Sequence, residues 1–227
     1  METATKFIDL LKLFYKDTDC KSFFESNKDY YATAESKFHS IFKKLNVDWY
    51  YKLYGKLPNE NFNIIIGLGN GGNNFGPNIA LPNKPRNLYA IIGASTFDDN
   101  CLPIFEEEDY LPTLIHEFNH SFINHLTEIF SEELQHSAKI IFDKERIKMK
   151  RLAYENWSFM LNEALVRASV IRYLISHDSD TTKIDLELKG QLANGFVWMK
   201  ELVELLKECE DKRDCKLPLK PNCLKVE

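Results

Sequence analysis

The sequence predicts an α+β fold in which a small mixed sheet, with one edge strand, packs over a helix carrying a polar triplet, with helical additions at both termini. Two short β-branched and aromatic runs bounded by Gly, Pro and Asn clusters predict the sheet. Several longer segments repeat apolar residues at helical spacing, and one of these is interrupted by His116-Glu117-Phe118-Asn119-His120. A chain of 227 residues with 44% hydrophobic content can bury one core. No linker demands a division, so residues 1–227 read as a single domain: a helical N-terminal part at 1–57, a core at 60–176, and a C-terminal helix and tail at 188–227.

In chain order, residues 5–15 form an amphipathic helix through Phe7, Ile8, Leu10, Leu11, Leu13 and Phe14, and residues 32–45 form another. Trp49, Tyr50, Tyr51 and Tyr54 follow as an aromatic group whose expected role is packing. Asn63-Ile64-Ile65-Ile66 and Leu88-Tyr89-Ala90-Ile91-Ile92 are the strands. Between them Gly67-Leu68-Gly69-Asn70-Gly71-Gly72 contains GxGxxG, the dinucleotide fingerprint, which works only where its last glycine opens a helix. Here Asn73-Asn74-Phe75-Gly76-Pro77 follows, a loop or hairpin sequence, and the dinucleotide reading is rejected. Residues 131–152 read as a partly exposed helix, 156–176 as a helix with a broad apolar surface, and 191–208 as the last helix.

The polar triplet carries the chemistry. Side chains four apart on a helix project from one face, so His116 and His120 can aim two imidazoles at one point, half of a tetrahedral zinc shell. Glu117 lies beside the first ligand, where its carboxylate can take a proton from a water polarised at the metal and deliver it to a leaving amine. A catalytic zinc site needs a third protein ligand. The extended metzincin pattern would require Gly at 123 and His at 126, where this chain has Ile123 and Leu126. Glu163 is the candidate: it falls among Trp157, Met160, Leu161, Leu165 and Val166, where a carboxylate needs a partner. A zinc ion is one such partner; an ion pair with Arg167 one turn on, or a solvated edge, is the alternative.

His116-Glu117-x-x-His120 with Asn162-Glu163-Ala164 resembles the gluzincin branch of the zincin metallopeptidases, and the stretch 60–176 is also similar to an uncharacterised bacterial family of zincin-like domains with a glycine-rich segment upstream. The resemblance implies a zincin-like fold and a zinc-dependent peptidase acting on a peptide or protein substrate. In it His116, His120 and Glu163 hold Zn2+, Glu117 is the general base, and an edge strand, here 88–95, pairs with extended substrate. The chain departs from the pattern twice: the span from His120 to Glu163 is longer than in the best-known gluzincins, and Arg167 stands where many carry an Asp that orients the first histidine. An oxyanion donor is expected from a His or Tyr. Tyr173 and His177 lie roughly 15 to 21 Å beyond Glu163 along a helix, too far, whereas Tyr154 is within reach if the chain bends before Asn156. His125 and His136 read as surface histidines. A zincin-like binding module, or a hydrolase of a non-peptide bond, is the competing expectation.

The formal charge of −5 argues against a nucleic-acid footprint, and no run approaches a membrane span. Met1-Glu2-Thr3 lacks the basic and apolar regions of a secretion signal. Of five cysteines, Cys209, Cys215 and Cys223 bunch near the C-terminus without a CxxC pair. A disulfide from Cys209 or Cys215 to Cys223, taken with the resemblance, places the expected location in the cell envelope or outside the cell.

Overall fold

The computed structural model describes residues 2–55, 59–177 and 180–211. It is mixed α and β and mostly helical: α1 (Glu2–Asp17), α2 (Cys20–Ser26), α3 (Lys28–Phe42) and α4 (Val47–Tyr54) precede strands β1 (Glu60–Gly67), β2 (Asn78–Ile79) and β3 (Arg86–Gly93). Then come α5 (Glu107–Ile129), α6 (Ser131–Arg151), α7 (Trp157–Ser176), α8 (Thr181–Ala193) and α9 (Met199–Asp211).

The sheet corrects the expected strand arrangement. Its order is β1-β3-β2, so β3 is the central strand rather than the edge. β1 runs parallel to it from Glu60 opposite Arg86 to Gly67 opposite Gly93, and β2 pairs antiparallel on the other side. The glycine-rich segment makes the difference: after its turns the chain comes back along β3, bridging Phe75 to Ile91 before β2 forms. The edge on that side of β3 therefore belongs to residues 75–79, and β1 forms the opposite edge. Periodicity reports which face a strand buries but not which neighbour takes its hydrogen bonds.

Arg86 ties the start of β3 to its surroundings. It pairs with Glu60 at 3.3 Å, donates to the Ser121 carbonyl at 2.9 Å, and lies over the Phe122 ring. The sheet face formed by Phe62, Leu88, Ala90 and Ile92 thereby rests on α5.

α7 is buried almost all round, with Met160, Ala164, Leu165, Val166, Val170 and Ile171 inside, and it packs against α5, α6, α8 and α9. Asn156 starts it by accepting from the Ser158 and Phe159 amides at 2.9 and 3.1 Å, two of the donors a helix leaves unpaired. Each fully buried aliphatic side chain on α7 contributes about 1.5–3 kcal/mol relative to exposure.

The aromatic group of α4 packs as expected, under α5. Tyr54 stacks on Phe122 with ring centroids 4.7 Å apart, and Tyr50 donates to the Ile115 carbonyl at 3.3 Å.

The expected last helix at 191–208 is two helices. Gly195, at φ 101°, breaks the run where a Cβ would stand 2.9 Å from the Lys148 side chain; Asn194-Gly195 was the visible signal. α8 and α2 were not anticipated. Cys209 is buried on α9, whereas Cys215 and Cys223, and with them the expected disulfide, lie outside the described residues. Among the described residues no helix is long and apolar enough to cross a membrane.

Candidate metal centre

The site is assembled from α5 and α7, which pack against each other. The helical repeat of α5 brings His120 Nε2 to 3.1 Å from His116 Nε2. α7 then delivers Glu163, whose Oε1 lies 3.3 Å from His120 Nε2 and whose Oε2 lies 3.7 Å from His116 Nε2. These distances can be tested against an ion. Ligand atoms about 2.0–2.1 Å from a tetrahedral zinc stand about 3.3–3.4 Å from one another, close to the 3.1 Å between the imidazoles and the 3.3 Å from His120 to Oε1. Two imidazoles and a carboxylate are also the donor types that zinc accepts, so the residues fit the ion.

The protonation states suit that fit. Burial, followed by the neighbouring charge of His120 and Arg167, holds the His116 imidazole well below its ordinary range, so its ring is neutral at pH 7 with a lone pair free for a cation. His120 Nδ1 lies 3.1 Å from Asn124 Oδ1; an N–H donated there leaves the Nε2 lone pair facing the centre. Asn124 is a partner that sequence reading missed, although its i,i+4 spacing from His120 was in view.

Glu117 sits on the adjacent side of α5, only 6% exposed, and borders a cavity of about 390 Å3 that His116, Arg167, Asn74 and Gln191 also line. Burial first, and then the Glu163 carboxylate, push its carboxyl up to about 8. Such a group is poised to exchange protons near neutrality. A second cavity of about 400 Å3, lined by Gly72, Gly93, Ser95 and Tyr110, shares Asn74, Asp109 and Thr113 with the first. A further cavity, about 540 Å3, lies elsewhere, between α3 and β1.

Around Glu163 the expected Arg167 ion pair is present, and Tyr154 adds a contact that was not expected. Arg167 Nε stands 3.4 Å from Glu163 Oε2, and Tyr154 donates to the same oxygen at 3.1 Å. Arg167 Nη2 in turn donates to Tyr154 Oη at 3.0 Å, and Nη1 to Gln191 Oε1 at 3.1 Å on α8. Both outer contacts converge on Oε2, which leaves Oε1 directed at His120. Tyr154 reaches the site because Ala153, at φ 64°, turns the chain between α6 and α7. Tyr173 and His177 do not reach it: they stack on each other at the far end of α7, where Tyr173 donates to the Lys44 carbonyl. His136 is exposed on α6, and His125 is not part of the ligand group.

The wall opposite α7 is the sheet edge. Phe75 exchanges backbone hydrogen bonds with Ile91 at 3.0 and 2.8 Å, and Pro77 accepts from Tyr89 at 2.9 Å. Strand alternation turns the intervening Gly76 N–H and C=O away from β3, and among the described residues neither has a protein partner. Asn74 closes the upstream turn by accepting from the Gly93 amide at 2.9 Å, and Gly93 is required there because a Cβ would meet the Gly71 carbonyl at 2.2 Å.

Beneath the triplet, Asn119 is fully buried and accepts from Tyr54 Oη at 2.7 Å, with Ser169 of α7 a further 3.3 Å from that hydroxyl. This junction of α4, α5 and α7 was not foreseen, since its three residues are far apart in the chain.

A family model described as "Domain of unknown function (DUF4932)" matches residues 2–219, nearly the whole chain, and the chain belongs to that family. No curated protein and no solved structure matches it.

Proposed function

We propose that this member of the DUF4932 family is a zinc-dependent metallopeptidase of gluzincin type, with His116, His120 and Glu163 as metal ligands and Glu117 as general base. The observation that carries the proposal is the convergence of His116, His120 and Glu163, whose ligand atoms all lie within 4.8 Å of one another, beside a buried carboxyl that faces a cavity. Zinc, when bound, would supply Lewis-acid polarisation of a water and of the scissile carbonyl. Glu117 takes the proton of that water and passes it to the leaving amine; a carboxyl titrating near neutrality serves both transfers. Tyr154, released from Glu163, donates its hydroxyl to the developing oxyanion, and Arg167 holds the ring oxygen in place for that task.

Substrate enters as an extended peptide along residues 74–78. The outward amide and carbonyl of Gly76 supply main-chain pairing, and the absence of a side chain there lets this edge lie directly against the backbone of Glu117.

One observation favours a second reading. The Arg167 contact occupies the place where many gluzincins carry the Asp that orients the first histidine, as suits a zincin-like module that holds a metal without hydrolysing anything. Zinc content by elemental analysis, with hydrolysis of an unfolded generic protein, separates the two. The peptidase retains about one zinc per chain in both wild type and Glu117→Gln, with turnover only in the wild type. Zinc without turnover in either protein supports the module, and absence of stoichiometric zinc overturns the metal centre.

A further inference from the structure

α1 is an apolar helix that the described residues leave uncovered on its apolar face. None of its residues is buried, and Phe7, Ile8, Leu10, Leu11, Leu13, Phe14 and Tyr15 are between 46% and 65% exposed. At 100° per residue these positions sweep roughly 220° of the helix circumference, about twice the stripe of an ordinary surface helix. A helix of that pattern belongs inside an interface, and an isolated helix of its length is marginal in water.

The same chain carries an open counterpart. The 540 Å3 cavity between α3 and β1 is walled by Tyr31, Phe38 and Phe42 on one side and by Phe62, Ile64 and Ile66 on the other. It opens along the edge of β1 that no strand of the described residues covers, since β1 pairs only with β3. The lengths agree: α1 is about 24 Å long, α3 about 22 Å, and an eight-residue strand about 26 Å.

We infer that this groove receives α1 of a second copy of the chain, in a reciprocal two-fold exchange. Three observations select a second copy over other occupants. First, helix and groove lie on one polypeptide, so a two-fold axis satisfies both pairs at once. Second, α1 carries three lysines and three acids, an even balance that suits a protein surface; helices that lie on anionic membranes are rich in Lys and Arg. Third, the area suffices: each helix offers roughly 600 Å2 of apolar surface, and two helices with their grooves remove roughly 2,000 Å2, at the upper end of the roughly 1,200–2,000 Å2 of a stable complex. The inference does not depend on the metal centre.

Sedimentation equilibrium of the full chain tests it. The wild type sediments as a dimer, and Phe14→Asp on the helix or Phe42→Asp in the groove each raises the dissociation constant at least about 30-fold. Both side chains are exposed, and far-ultraviolet circular dichroism checks that each variant stays folded; should Phe42→Asp unfold, Tyr31→Asp on the same wall replaces it. Mixing the two variants restores association, because one intact helix then meets one intact groove. A monomer at every concentration overturns the inference, whether α1 closes on its own groove or binds neutral or anionic lipid vesicles instead. A dimer indifferent to both groove variants overturns it as well, since that result assigns the contact to α1 alone.

Discussion

Gly76 lies so close to Glu117 that a Cβ built on it would stand 2.0 Å from the Glu117 carbonyl oxygen. The sheet edge and the histidine helix thus touch backbone to backbone, and a single methyl group must force them apart. Gly76→Ala is expected to destabilise the fold by about 1–3 kcal/mol and to lower kcat/KM at least about tenfold by displacing the edge from the site. Gly69→Ala is the control, since nothing lies within 4 Å of a Cβ there. Urea unfolding and peptide hydrolysis on the three proteins check this, and equal losses in both variants would refute a special contact at 76.

Asn124 orients His120 through Nδ1, so Asn124→Ala should weaken zinc binding about 10- to 100-fold while leaving the unfolding midpoint of the metal-free protein nearly unchanged. Competition with a chromophoric chelator measures the affinity. Unaltered affinity would remove Asn124 from the support of the site.

The raised Glu117 carboxyl has a consequence for stability. Its ordinary value is 4.5 and its value in the fold about 8, so between these the unfolded chain has released a proton that the folded chain still holds. Stability of the metal-free protein therefore falls as pH rises from about 4.5 to about 8, by up to about 1.4 kcal/mol per pH unit from this group. Glu117→Gln cannot ionise and should flatten that slope. Urea titrations of both proteins at pH 5, 6.5 and 8 isolate the difference; parallel curves would show that the carboxyl ionises normally.

Tyr154→Phe removes the hydroxyl assigned to the oxyanion and keeps the ring. The expected result is unchanged zinc content with kcat reduced about 10²- to 10³-fold and KM altered little. A rise in KM alone would make Tyr154 a substrate-binding group.

Tyr54→Phe tests the scaffold rather than the chemistry. It leaves the stacking on Phe122 intact but strips the partner from Asn119 Oδ1 in a fully buried position, which should cost about 1–3 kcal/mol in urea unfolding. A near-neutral effect would indicate that water replaces the hydroxyl.

What the sequence determined by itself was local. The four-residue separation of His116 and His120 converges two imidazoles as soon as the segment is helical, and the Asn156 side chain starts α7 within its own first turn. Both follow from the helical repeat, which a short window contains. Tertiary structure decided what depends on partners distant in the chain: that α7 crosses α5 at the level where Glu163 reaches His120, that Tyr154 and Arg167 share one oxygen of that carboxylate, and that residues 75–79 rather than 88–95 form the sheet edge. A strand can pair along either edge, and an apolar helix face can meet several neighbours; the choice is made by the summed burial of the whole core, and no single segment carries that sum.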